Sequence, residues 1–229
     1  MPQNAAVTVA EEQSAPTSNL GRRRLSARAD PAPSYQARRG EIIAAAGQVF
    51  LAKGYGATSF RDIAEATGVD RASLYYYFES KQDLFRVATG AAVLRNVEDA
   101  ERVASGDRTP TEKIGEIFTK LLESYTRTDY PFMFIFLQED VNRLTDDPDD
   151  PWAHEVNDLS RRYERAVTSI IQEGVDQGEF TVAGPPHVLT KAIIGMANWT
   201  QRWYRRDGEL TTEQIADTFA GTFLHGVVR

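Results

Sequence analysis

The stretch FRDIAEATGVDRASLYYYFESK, residues 60–81, decides how this chain folds at its N-terminal end. Ile63, Ala64 and Thr67 share one face of a first short helix, and Leu74 and Phe78 share one face of a second. Between them stands Gly68, which takes the left-handed conformation that closes a helix, leaving Val69 to drop into the junction. Asp70 is placed to cap the second helix. That helix turns Arg71, Ala72, Ser73, Tyr75, Tyr76 and Tyr77 away from Leu74 and Phe78. Hydrogen-bonding and flat side chains gathered at a helix N-terminus suit the major groove of B-DNA.

Three consecutive tyrosines have a plainer reading as core. One helix turn cannot bury all of them, because successive residues point about 100° apart on a helix of about 3.6 residues per turn. At least one of Tyr75, Tyr76 and Tyr77 therefore faces solvent or a partner.

The run from about Arg38 to Val87 resembles the N-terminal domain of the TetR family of transcriptional regulators. The likeness covers an amphipathic helix (Ile42, Ile43, Ala46, Val49, Phe50), the KGYGATS link, RDIAEATGV, LYYYF and the SKQDLF that opens the next helix. The resemblance implies that Thr58 or Ser59 caps the first helix of the pair and reaches phosphate, and that Arg61 on its first turn is a further DNA contact. It further implies DNA contacts by Arg71, Ala72, Ser73, Tyr75, Tyr76 and Tyr77, and a phosphate held by Lys81. Two positions depart from the family pattern: Asp70 stands where Ser is usual and Tyr77 where His is usual. An aspartate near phosphate repels unless it caps the helix or accepts from a cytosine amino group, so Asp70 reads as structural. Operator sequence does not carry over from the family.

The 229 residues exceed one small DNA-binding module and leave enough chain for a second core. We expect an all-α protein: a flexible basic tail over 1–34, a three-helix helix-turn-helix domain over 35–84, and a helical ligand-binding and dimerisation domain over 85–229. With no cysteine, neither disulfides nor a cysteine zinc site stabilise it, and a reducing cytoplasm is the expected compartment. No apolar run approaches the ~20 residues that span a bilayer. The net charge of −7 divides unevenly: residues 1–90 hold 11 basic and 9 acidic groups, residues 91–229 hold 15 and 24. A slightly basic DNA end can work beside an acidic body because phosphate attraction is local. Chance asymmetry accounts for the same numbers.

In the tail, Arg22, Arg23, Arg24 and Arg28 suit an arm that tracks phosphates, and equally a solvated leader. Beyond Leu84 only helical patterns recur. They run from about Lys81 to a break at Gly106–Pro110, from about Thr111, through an aromatic segment after Pro131, from about Trp152 to Gly178, from Pro185 and Pro186 to about Arg205, and from Thr211. The last two carry small residues, among them Gly195, Ala197, Ala220 and Gly221, that let helix backbones approach. In the TetR family the final two helices pair with those of a second subunit, which implies a homodimer reading both halves of a palindromic double-stranded operator.

Family members use the middle helices as an effector pocket, and the aromatic excess here agrees with one. Phe118, Leu122, Tyr125, Phe132, Phe136, Tyr163, Val167, Met196 and Trp199 are the expected apolar lining, although apolar stripes are by default core. LQEDVNRL (137–144) and WTQRWYRRDGELTTEQIA (199–216) look similar to TetR regulators of fatty-acid and sterol-ring catabolism that respond to acyl-CoA thioesters. Such an effector needs cations for its phosphates, and Arg202, with Arg161, Arg162, Arg165 and Arg206, is available. The resemblance implies a repressor without a cofactor. An activator, or a ligand-independent DNA-binding protein, remains the alternative.

Signatures of catalysis are missing from the sequence: there is no G-x-S-x-G elbow, P-loop or H-E-x-x-H. His154, His187 and His225 lack partners at metal-ligand spacing, and Asp146, Asp147, Asp149 and Asp150 lack a spaced calcium-loop pattern. We expect neither an enzyme nor a metal site.

Overall fold

The computed structural model describes residues 32–126 and 150–226, and its regular elements there are helices. Helix α1 (Pro33–Lys53) starts on a proline, whose missing N–H and fixed φ suit a first turn. It buries Ile42, Ala46 and Phe50, spaced four apart along one face. Gly54, at φ 79°, ends it and donates to the Phe50 carbonyl at 2.7 Å.

Helices α2 (Phe60–Thr67) and α3 (Arg71–Tyr77) form the expected pair. Ser59 and Asp62 make a reciprocal capping box on α2, and Gly68 closes it in the left-handed conformation at φ 65°. Asp70 accepts from the Ser73 N–H at 2.8 Å and so caps α3.

Helix α4 (Lys81–Ser105) is capped by Ser80, and at 25 residues spans about 37 Å. Leu84, Phe85, Ala88, Ala92, Val93 and Val97 close a first core with α1–α3, while Ala100 and Val103 belong to a second. Helix α5 (Pro110–Glu123) opens with a Thr109/Glu112 capping box and a proline at its first position. Helix α6 (Pro151–Asp176) packs along α4 and, like it, serves both cores. Its Trp152, Val156 and Leu159 join the first, and Ala166, Val167, Ile170 and Ile171 the second. The core around the helix-turn-helix thus extends past residue 84 into the start of α6.

Gly174 on α6 is needed for contact, since a Cβ there would come within 2.2 Å of the Phe180 ring. Removing the side chain lets buried Phe180 lie directly on the helix. Helix α7 (Pro186–Trp199) and helix α8 (Thr212–His225) complete the second core, with α8 laid against α5.

Two expectations change in detail. The helix expected to reach about Arg205 stops at Trp199 and tightens into a 3₁₀ turn, Thr200–Arg202. The Thr200 carbonyl accepts from both the Trp203 and Tyr204 N–H groups, which ends the regular ladder. At the other end Pro33 and Ser34, expected in the tail, are helical, and Tyr35 is buried. The arginines of the tail, the aromatic segment 132–137 with Phe132 and Phe136, and residues 137–144 lie outside the described residues. No helix among the described residues is long and apolar enough to cross a membrane.

Candidate nucleic-acid interface

Three hydrogen-bonded caps in succession, Ser59, Asp70 and Ser80, set the directions of α2, α3 and α4. Hydrogen bonds from Lys53 and Ser59 hold the Asp62 carboxyl well below the usual carboxylate range. Bonds from the Ser73 hydroxyl and backbone depress Asp70 in the same direction. Both carboxylates stay ionised at neutral pH and favour the positive ends of their helices. Asp70 is therefore spent on its own helix.

On α3, Leu74 is fully buried, and Arg71 and Ala72 stand exposed one turn away. The Arg71 guanidinium lies 5.6 Å from the Tyr75 ring centroid and donates to its hydroxyl at 3.2 Å. Tyr75 in turn packs on Phe60, with centroids 4.9 Å apart. All three tyrosines are half-buried, so the triplet is neither pure core nor pure surface.

Tyr35 explains how. Its ring stacks on Tyr77 at 5.0 Å and meets Tyr76 edge-on at 5.5 Å. Burial pushes the Tyr77 hydroxyl above its ordinary pKa. Tyr77 is thus a support inside the domain, whereas the resemblance placed it among the DNA contacts. Sequence reasoning missed Tyr35; its only signal was an aromatic residue set among alanines and arginines.

Three further expected contacts sort differently. Thr58 is buried and its hydroxyl donates to the Gly54 carbonyl at 2.7 Å, so Ser59 alone is the exposed cap. Lys81 donates to the Tyr55 and Thr58 carbonyls at 2.7 and 2.8 Å, with its ammonium 4.3 Å from the Tyr55 ring centroid. That lysine closes the loop between α1 and α2, where the resemblance had it holding phosphate. Arg61 is 80% exposed and pairs with Glu65 on its own helix. Ser59 and Arg61 at the start of α2, and Arg71, Ala72, Ser73, Tyr75 and Tyr76 on α3, are exposed or half-buried.

This geometry is a helix-turn-helix whose second helix projects its N-terminal turn outward. Residues 42–88 match the family model of bacterial regulatory proteins of the tetR family, and residues 107–227 match that of the tetracyclin repressor-like C-terminal domain. The chain belongs to the TetR family. As a TetR protein it is a DNA-binding transcriptional regulator and not an enzyme.

Among TetR relatives, the chain is similar to the HTH-type transcriptional repressor KstR2 of Mycolicibacterium smegmatis, 27% identical over 84% of this chain and 91% of that one. The TetR family regulator PfmR from Thermus thermophilus superposes with a TM-score of 0.73 at 28% identity, covering 82% and 99% of the two chains. AibR, in a complex with isovaleryl coenzyme A and operator DNA, superposes with a TM-score of 0.70, covering 81% and 97%. At 24% identity that last likeness is one of fold.

A second feature of this TetR chain is a cavity of about 260 Å³ between α4, α5, α6 and α7. Val93, Asn96, Val97, Leu121, Leu159, Ser160, Tyr163, Glu164, Ile194 and Asn198 line it. Of the expected pocket residues that are described, Tyr163 alone is in that lining, and burial raises its hydroxyl pKa. Phe118, Leu122 and Val167 are fully buried core, and Phe118 packs on Phe219 and Phe223. Met196 packs against the same core, and Tyr125 donates to the Ala197 carbonyl at 3.1 Å. Trp199 is 60% exposed, with the Arg202 guanidinium 4.5 Å from its ring. The faces turn because Ile194 and Asn198, four apart, point inward, and Trp199 follows one residue later.

Three of the expected arginines are held by partners outside the cavity lining. Arg161 pairs with Asp158, Arg162 forms a two-point bond with Glu101 at 2.9 and 2.7 Å, and Arg206 donates to the Thr126 carbonyl. The Arg162 bond lowers the Glu101 pKa.

Proposed function

We propose that this TetR regulator is a repressor that binds a palindromic operator as a homodimer and leaves it when a small apolar effector occupies the cavity. The observation that carries the DNA half is the outward turn of α3, where exposed Arg71 and Ala72 sit on a helix held by the Asp70 cap and the Tyr35 stack. An arginine at that position suits bidentate reading of a guanine edge, and Ser59 and Arg61 suit adjoining phosphates.

The homodimer is supported by α7. Val188, Ala192, Gly195 and Trp199 form an exposed stripe of apolar and small side chains at helical spacing. A Cβ on Gly195 would meet nothing within 4 Å, so the stripe is open in the single chain. A two-fold pair across it presents two reading helices to half-sites ~34–36 Å or a multiple apart.

The effector is an acyl-CoA thioester in this reading, supported by AibR, whose structure holds isovaleryl coenzyme A. In this reading the acyl part enters the cavity of about 260 Å³ and the coenzyme stays outside it.

Selecting a binding site from random DNA, then titrating acyl-CoA thioesters of several chain lengths into the protein–DNA complex, tests both halves. The expected result is a palindrome bound about 10³-fold or more tighter than unrelated DNA and released by one thioester class. Equal affinity for all DNA would refute the regulator as a sequence reader, and indifference to every thioester would remove that effector.

A further inference from the structure

Asn96, on α4, is more than nine-tenths buried, and its amide nitrogen has no hydrogen-bond partner. An unpaired buried amide destabilises a fold; the nitrogen is itself closed to the cavity, and a half-turn of the amide plane is what would bring it there. Asn96 lines the cavity between α4, α5, α6 and α7 together with Tyr163 of α6, and among the described residues the Tyr163 hydroxyl has no protein partner either. The Tyr163 ring packs against both cores.

The charged side chains nearby are already committed. Glu164, in the lining, pairs with Lys191; Lys120, in the crevice that continues the cavity past Asn96, pairs with Glu123 at 3.0 Å. A carboxylate entering the cavity would face Glu164 without a described lining cation to receive it. A plain hydrocarbon would leave the Asn96 amide unpaired.

Resting on the effector reading above, we infer that Asn96 and Tyr163 determine the specificity of this cavity, and that they select an apolar ligand carrying an uncharged oxygen function, carbonyl or hydroxyl, over the corresponding free acid. The amide presents an acceptor and, after a half-turn of its plane, two donors; the phenol presents one of each. Together they accommodate either oxygen function. A ligand bonded to both joins α4, which begins in the DNA-reading core, to α6, which spans the two cores. That is the pair of helices through which cavity occupancy reaches the reading head.

Calorimetric titration of the full chain with 2-octanone, 2-octanol and octanoate tests this. The ketone or the alcohol should bind, with octanoate at least about tenfold weaker. Asn96→Leu should raise the melting temperature of the ligand-free protein by removing the unpaired amide, and weaken ketone or alcohol binding by about tenfold or more. Tyr163→Phe, which deletes one hydroxyl, should weaken it severalfold and remains readable if Asn96→Leu does not fold. Octanoate bound as tightly as the ketone and alcohol, no binding of either by the wild type, or unchanged affinity in the variants would each overturn the inference. Release from DNA separates this from the broader reading. If a thioester frees the operator while the wild type ignores ketone and alcohol, the selectivity assigned here fails and the effector reading stands. If ketone or alcohol binds through Asn96 but no ligand alters DNA binding, the cavity assignment holds and the effector reading fails.

Discussion

Arg86 and Asp150, 64 positions apart, join the N-terminal ends of the two long helices: the Arg86 guanidinium donates to the Asp150 carboxylate and lies 5.1 Å from the Trp152 ring centroid. Asp150 also accepts from the Trp152 N–H at 2.9 Å, so one carboxylate starts α6 and fastens it to α4. Phe85 meets the same Trp152 ring edge-on. The DNA-reading core is thereby closed by a residue from the far side of the chain.

Breaking that pair from either side, with Arg86→Ala or Asp150→Ala, should cost about 1–3 kcal/mol, because a largely buried partner is left uncompensated. The double variant should cost less than the two losses added together. Urea unfolding of all four proteins measures this, and simple additivity would show that the two side chains do not act as a pair.

Tyr35→Ala should destabilise the N-terminal core by about 3 kcal/mol and weaken operator binding, although Tyr35 reads no base. Tyr35→Phe should be neutral or stabilising, since the buried Tyr35 hydroxyl has no hydrogen-bond partner. Thermal melts and gel shifts on both variants decide the matter. Equal damage from both would mean that the hydroxyl, and not the ring stack, holds Tyr76 and Tyr77.

Arg61 and Lys81 should separate in a salt titration. Arg61→Ala is expected to reduce the slope of log affinity against log salt by about one, as the loss of one phosphate contact does. Lys81→Met should lower the melting temperature and leave the slope alone, because its ammonium is bonded to the Tyr55 and Thr58 carbonyls. A lowered slope with Lys81→Met would return that lysine to the phosphate contacts.

Trp199→Glu and Gly195→Leu both alter the open face of α7 and leave the cavity lining untouched. Each should shift the protein to monomer in light scattering and reduce operator binding. A dimer that survives both substitutions would place the subunit contact elsewhere.

Acid should loosen the helix starts before the cores. Asp62, Asp70 and Glu112 have pKa values depressed, Asp62 by the Lys53 ammonium and the Ser59 cap bonds, Asp70 by cap bonds from Ser73 and Glu112 by cap bonds from Thr109. A depressed folded-state value means that the cap contribution is fully present above the ordinary values of 3.8 for Asp and 4.5 for Glu, and is lost as pH falls below them toward the folded values. Thermal stability should therefore hold level with respect to these groups from about pH 6 to 8 and fall below about pH 4. Asp70→Asn, which still caps but does not titrate, should flatten part of that fall; an unchanged acid limb would exclude Asp70 from it.

Local chemistry was legible wherever a residue acts on its own neighbours. Gly68 closing α2, Asp70 capping α3 and the proline pair opening α7 follow from backbone constraints spanning four or five positions, whereas the prolines that open α1, α5 and α6 were read as tail or loop. The apolar spacing of Ile42, Ala46 and Phe50 likewise marks a buried face without reference to the rest of the chain. Those short-range rules carried the all-helical class and the outward turn of α3.

Residue roles that depend on long-range proximity were not written in any local pattern. Lys81 finds the carbonyl of Tyr55, 26 positions away, only after α4 has docked, and its charge is then used inside the domain. Tyr35 of α1 stacks on Tyr77 of α3, and Asn96 of α4 lines one cavity with Tyr163 of α6. An amphipathic period says which face is buried, but not whether that face meets tight core, as at Phe118 and Val167, or a cavity, as at Asn96. That distinction arises from how closely whole helices approach one another, a distance set by every side chain along both of them at once.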